Sequence, residues 1–220
     1  MRVALVTGAS RGIGAAIAGI LTGEGCQVLA PSHSELDLAS TASIEKYLAS
    51  LKGNIDILVN DAGINRIALL DDIKVGDLQE TLQINLLAAF RLAQAVVPAM
   101  RNNHFGRIVN ISSVWSLASR PGRISYSMSK TALNGMTRSL AVELASDNIL
   151  VNAVAPGYVM TDLTRQNNSL KELEIIKQTI PMNRLAEPIE IARMVAFLVS
   201  EQNTYMTGQT IAVDGGYTCL

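Results

Sequence analysis

Aromatic residues are scarce in this 220-residue chain: one Trp, five Tyr and three Phe, 4% in all. That is too few for a surface that stacks the bases of a nucleic acid. Charge of one sign is also missing. The net charge is −1, which leaves no basic footprint for nucleic acid or an anionic membrane. The two cysteines, Cys26 and Cys219, have no metal-binding spacing and read as reduced thiols of a cytoplasmic protein. No run reaches the ~20 apolar residues of a membrane span. Arg91 interrupts the best stretch, residues 86–97. The opening Met1-Arg-Val-Ala-Leu-Val-Thr7 has one basic residue and a short apolar run, unlike a signal peptide. The expectation is a soluble, cytoplasmic protein with no nucleic-acid, membrane or metal partner.

What is present is aliphatic. The chain is 49% hydrophobic and 17% charged, which fits a compact α/β protein with buried strands. There is no linker, repeat or low-complexity tract, so residues 1–220 are expected to form one domain.

Residues 3–6 form a nearly unbroken apolar run, as in a strand covered on both faces. They lead into Thr7-Gly-Ala-Ser-Arg-Gly-Ile-Gly14, and then into a helical pattern over residues 15–21. A strand, a glycine-rich turn and a helix start together hold a dinucleotide pyrophosphate. Glycines let the backbone approach, and the helix N-terminus faces the anion. Residues 27–30 read as a second strand. A parallel sheet needs a crossover before its next strand, usually a helix. Here Pro31-Ser-His-Ser-Glu-Leu-Asp37 runs directly to a helix over residues 42–51, capped by Ser40-Thr41. The usual crossover helix is therefore predicted to be absent, leaving the sheet one strand short at that edge. Ser32 and His33 end the second strand, with Arg11 nearby. A polar or basic end there accommodates the 2′-phosphate of NADP, which favours NADP(H) while Glu35 keeps NAD(H) open.

Further strands are predicted at residues 55–59, 107–111, 150–155 and 210–213, and helices at 77–100, 126–144 and 188–199, the last with Pro188 in its first turn. The first of these strands ends at Asn60-Asp-Ala-Gly63, a polar turn where ligands sit in an open α/β sheet. Asn85 breaks the apolar face of the helix at 77–100; such an Asn is more often a satisfied structural amide than a catalytic one. Residues 158–186 are polar and irregular around one helical piece, 170–178, and read as a lid over the substrate site. The whole predicts a doubly wound, mostly parallel α/β Rossmann sheet with helices on both faces.

Tyr126 and Lys130 lie four residues apart on a predicted helix, hence on one face. A phenol titrates near roughly pH 10, and a neighbouring ammonium is expected to draw that value down. Such a pair could exchange protons near neutrality.

Taken together, the glycine turn, Asn60-Asp-Ala-Gly63, Asn85, Ser113, Tyr126-x-x-x-Lys130 and Pro156-Gly-Tyr-Val-Met-Thr161 resemble the short-chain dehydrogenase/reductase family. The flanking text is most similar to its 3-oxoacyl-acyl-carrier-protein reductases. The resemblance implies hydride transfer between a nicotinamide and a carbonyl, with Tyr126 moving the proton. It implies that Ser113 binds the same oxygen, Lys130 holds the nicotinamide ribose, and Asn85 anchors a relay water. It implies cofactor contacts from Gly8, Ser10, Arg11, Gly12, Ile13 and Gly14 around the pyrophosphate. Asp37, Asn60, Ala62 and Gly63 would meet the adenosine side, and Pro156, Gly157, Val159 and Thr161 the nicotinamide side. Where carrier-protein reductases tend to be basic near the site mouth, this chain has His104 and Asp147; Arg120 and Arg123 are the available substitutes. The substrate is thus expected to be a small-molecule carbonyl, carrier-linked or a free ketone, polyol or sugar derivative. The family also implies a homotetramer or homodimer built on the two long helices and the C-terminal segment. A non-catalytic dinucleotide sensor is disfavoured, because both Tyr126 and Lys130 are present.

Overall fold

The structure is a computed structural model that describes residues 1–220, apart from the side chains of Leu163, Gln166 and Asn167. Six strands, β1 (Val3–Thr7), β2 (Gln27–Leu29), β3 (Ile57–Asn60), β4 (Gly106–Ile111), β5 (Ile149–Pro156) and β6 (Thr210–Val213), form one sheet in the order β2-β1-β3-β4-β5-β6. Every pairing is parallel. The predicted gap after β2 is real. The chain leaves Leu29, makes turns through residues 32–39, and enters α2 (Thr41–Ser50), whose N-cap Ser40 accepts a hydrogen bond from the Ser43 amide. β2 is therefore the edge of the sheet.

Alternate strand residues feed two cores. Leu5, Leu58, Ile108 and Val151 face α2, α4 (Ala88–Asn102) and α5 (Ile124–Leu144). Ala4, Val6, Val59, Val109 and Val154 face α1 (Gly12–Gly23) and α8 (Pro188–Val199). Each wholly buried Leu or Ile in these layers contributes about 1.5–3 kcal/mol through lost contact with water.

The helix predicted at 77–100 is longer and irregular. It runs from α3 (Val75–Leu82) through a π-helical turn, Gln83–Leu87, into α4. By length and composition Val75–Asn102 could cross a membrane, although Arg91 had argued against any such run. In this fold Leu92, Ala93, Val96 and Met100 pack it onto the sheet. Pro98 lies on its exposed side, where the unpaired Gln94 carbonyl can take water.

The expected lid holds two helices rather than one: α6 (Asp162–Asn167) and α7 (Leu170–Gln178), the latter started by a Ser169/Glu172 capping box. The segment has a small core of its own, Leu173, Ile176, Ile180 and Leu185, packed against Tyr158, Met160 and Tyr217. A parallel bridge between Val159 and Ala186 closes its base.

Candidate active site

β1 lies where the strand order reverses, with β2 on one side and β3 on the other. In open α/β sheets ligands bind beside the carboxyl ends of strands at such a point. Two neighbouring cavities open there, of about 360 and 420 Å³. They share Gly8, Ser10, Ala62, Gly63 and Ile64.

The glycine turn is tightly built. Gly8 has φ +71°, and a Cβ on it would lie 2.8 Å from the Ala62 nitrogen. A Cβ on Gly14 would lie 2.5 Å from the Gly8 oxygen and 2.6 Å from Asp61 Oδ2. Gly14 thus sits behind the turn, while Gly8, Ser10, Arg11, Gly12 and Ile13 face the 360 Å³ cavity. The α1 helix begins at Gly12, three residues earlier than its periodicity suggested, because the turn itself becomes the first helical turn. A backbone cradle at a helix N-terminus fits a pyrophosphate. Two cavities meeting over it fit the two halves of a dinucleotide.

The remaining wall of the 360 Å³ cavity carries Ser113, Tyr126, Lys130, Pro156, Gly157, Val159 and Thr161, all predicted to be near the cofactor or substrate. Ser113 follows β4; Tyr126 and Lys130 come from α5, which starts at Ile124 rather than at the tyrosine. Lys130 is buried, and its Nζ donates to the Ile111 carbonyl at 2.7 Å. That nitrogen lies 5.7 Å from the centre of the Tyr126 ring.

The pKa values correct one expectation. Tyr126 is not drawn down but pushed up to about 12, first by burial; the Ser113 hydroxyl and Arg123 pull it down, and the Asp61 charge pushes it up. Lys130 turns its ammonium to a carbonyl, and burial outweighs the charges nearby. Burial also lowers Lys130 to about 8, against the charge of Asp61.

Asp61 is the residue that sequence reasoning passed over. Burial raises it to about 7, while Lys130 and the Gly14 amide hold it down. Its signal was an acidic residue placed directly after a fully buried strand.

Three other predicted residues are held by side-chain hydrogen bonds. Asn60 lines neither cavity; its Nδ2 donates to Asn110 Oδ1 at 2.8 Å, tying β3 to β4. Asn85 sits in the π-turn, with Oδ1 accepting from the Ile64 amide at 2.9 Å and Nδ2 donating to Ile64 O and Ser129 Oγ. These bonds position the Gly63–Ile64 backbone beside Lys130. Ser32 lines neither cavity; its amide and hydroxyl both donate to the Glu35 carboxylate. His33 and Asp37 do line the 420 Å³ cavity, which has no Lys or Arg in its wall. His104 and Asp147 flank the amino ends of β4 and β5, at the opposite end of the sheet from the cleft, where Asp147 pairs with Arg101.

The comparisons agree with this geometry. Residues 30–218 match the family model described as enoyl-(acyl carrier protein) reductase. The chain belongs to the short-chain dehydrogenase/reductase family, and it is an NAD(P)-dependent oxidoreductase of that family. It is similar to the 3-oxoacyl-acyl-carrier-protein reductase of Escherichia coli, 40% identical over 236 residues that cover 98% of this chain and 96% of the relative. Among solved structures, 4-hydroxyisoleucine dehydrogenase complexed with NADH superposes with a TM-score of 0.95 at 28% identity, covering 100% of both chains; a mutant of it is complexed with NADH and succinate. A protein described as a putative NAD(P)-dependent gluconate 5-dehydrogenase from Beutenbergia cavernae, with NADP bound at low occupancy, has a TM-score of 0.91 at 35% identity, and the match covers 100% of this chain and 97% of that one.

Proposed function

We propose that this protein interconverts a carbonyl and an alcohol on a small molecule, acting as a carbonyl reductase. The observation that carries the reading is the convergence of Ser113, Tyr126 and Lys130 on one cavity beside the glycine turn. The bound nicotinamide supplies or accepts the hydride. Tyr126 holds the proton that the carbonyl oxygen takes, and a phenol held at about 12 stays loaded with it throughout the working range. Ser113 places a second donor at the oxygen where negative charge develops. Lys130 supplies a buried cation beneath both, braced by Ile111 and balanced by Asp61. The segment over residues 158–186, with Thr161, Asp162 and Thr164 on the cavity wall, acts as the lid that sets specificity.

A 3-oxoacyl thioester is the substrate supported by the 40%-identical relatives. A free small molecule is the second reading. At the positions where carrier-protein reductases tend to be basic, this chain has His104 and Asp147, which lie at the far end of the strands from the cleft and offer an acidic carrier no basic pair. For the cofactor, the NAD(H) alternative that Glu35 kept open gains support. The Glu35 carboxylate folds back onto Ser32 at the end of β2, and the adjacent cavity lacks a cation for a 2′-phosphate. The cell compartment we assign is the cytoplasm, from the reduced-thiol reading of Cys26 and Cys219. The test is to follow NADH and NADPH oxidation with acyl thioesters, free ketones and sugar carbonyls. Loss of cofactor binding without any turnover in the panel would reject the reductase reading.

A further inference from the structure

One cation beside the cleft, next to the Tyr126 turn and outside the lining of the 360 Å³ cavity, has no counter-ion among the described residues. Arg123, the residue before α5, is 8% exposed. Its Nε has no hydrogen-bond partner among the described residues. The charged and titratable groups that face it are Arg120, Tyr158 and Tyr126; no carboxylate is among them. The other buried arginine, Arg107, also leaves its Nε unpaired but differs at its terminal nitrogens. Arg107 gives its terminal nitrogens to the carbonyls of Gly106, Asn148 and Asn203. A buried guanidinium is stable only with acceptors around it, so an unpaired one leaves room for an anion.

The surroundings tie Arg123 to the chemistry. It is the N-cap of α5, three residues before Tyr126, and its charge acts on that phenol. Its Cζ lies 6.0 Å from the centre of the Trp115 ring, and that of Arg120 lies 5.6 Å from the same ring. The Trp115 amide donates to Ser113 Oγ at 3.2 Å. Arg120 Nη1 donates to the Tyr158 hydroxyl at 3.0 Å. Trp115, Tyr158 and Tyr217 meet edge to face with ring centres 5.8–5.9 Å apart, which fixes this wall.

We propose that Arg123, with Arg120 at the rim, anchors a carboxylate of the substrate, so that this site takes a small oxo or hydroxy acid. The proposal rests on the reductase reading and names its substrate class. A guanidinium pairs a carboxylate through two parallel hydrogen bonds, which would fix the acid's orientation as well as its charge. Burial and the neighbouring Arg120 both lower the pKa of Arg123, the direction that an entering anion would reverse. A carrier arm offers its phosphate only at the far end of a long tether, whereas Arg123 stands one turn from the proton donor.

The test is calorimetric titration of succinate and of dimethyl succinate into the full chain with NADH present, for the wild type, Arg123→Gln and Arg123→Lys. We expect the wild type to bind the dianion at least about tenfold tighter, the Gln variant to lose that difference and the Lys variant to keep part of it. Equal binding of acid and ester, or a difference that survives Arg123→Gln, overturns the proposal. Melting curves check that each variant folds; should the Gln variant fail, Arg123→Met is read by the same criterion. Reduction of a 4-oxo acid and of its methyl ester is measured alongside. Succinate discrimination without turnover of either carbonyl keeps the anion site and rejects the reductase. Equal turnover of acid and ester does the reverse. A preference confined to 3-oxoacyl thioesters of phosphorylated pantetheine, and absent with the dephosphorylated thioester, assigns the anion to a carrier's phosphate and also overturns it.

Discussion

Asp61, half-buried, and Lys130, buried, are neighbours of opposite charge beneath the cleft, each shifting the other toward its ionised form while burial shifts both toward neutrality. Asp61 also braces the glycine turn, with Oδ2 packed where a side chain at Gly14 would have to go. One carboxyl group therefore links the pyrophosphate cradle to the ammonium beside the proton donor.

The pair gives the stability a pH signature. Asp61 is raised from 3.8 to about 7, so the folded protein keeps a proton that the unfolded chain releases, and its stability falls as pH rises across that window. Lys130 is lowered from 10.5 to about 8, so the unfolded chain binds the extra proton there and stability rises between those values. In Asp61→Asn the acid limb should flatten, by up to about 1.4 kcal/mol per pH unit, in urea titrations from pH 4 to 7. Parallel slopes for variant and wild type would show that Asp61 does not titrate there.

Tyr126→Phe keeps the ring and removes the proton. Turnover should fall about 10²- to 10⁴-fold while cofactor affinity by fluorescence titration stays within about threefold. A variant that turns over like the wild type would remove Tyr126 from the reaction.

Gly14→Ala places a Cβ 2.5 Å from the Gly8 oxygen. Neither that backbone nor the half-buried Asp61 can move freely, so the variant should lose about 1–3 kcal/mol in denaturant unfolding and bind the cofactor more weakly. Gly19 has open space around its Cβ direction and serves as the control. A Gly14 variant as stable as Gly19→Ala contradicts the packing described.

Cofactor choice should follow the charge at the end of β2. The wild type should have the higher kcat/KM with NADH. Glu35→Gln keeps an acceptor for the Ser32 amide and should shift the NADPH/NADH ratio toward NADPH by about tenfold, ~1.4 kcal/mol. A wild type that prefers NADPH would restore the assignment read from Ser32 and His33.

Association is proposed through the outer faces of the two long helices. Phe90 on α4 and Val142 on α5 are exposed, the latter at 86%, as are Leu87 and Met128. Light scattering should give a multiple of 23.5 kDa, and Phe90→Glu combined with Val142→Glu should give a single chain. A monomeric wild type ends this proposal.

The sequence by itself determined the parallel sheet, the shortened edge after β2, and several element limits, because those signals are local. Pro188 starts α8 and α7 spans Leu170–Gln178 where the sequence placed them, and β6 spans the residues that its apolar run marked. It also named Ser113, Tyr126 and Lys130, whose order along the chain carried the family resemblance. Only the tertiary structure decided what lies beside them. Asp61 enters the site, Asn60 leaves it, His104 and Asp147 fall at the far end of the strands, and Arg123 is buried without a partner. The upward shift of Tyr126 belongs to the same class. Burial and charge coupling depend on distances between residues far apart in the chain, and no spacing within one segment encodes those distances.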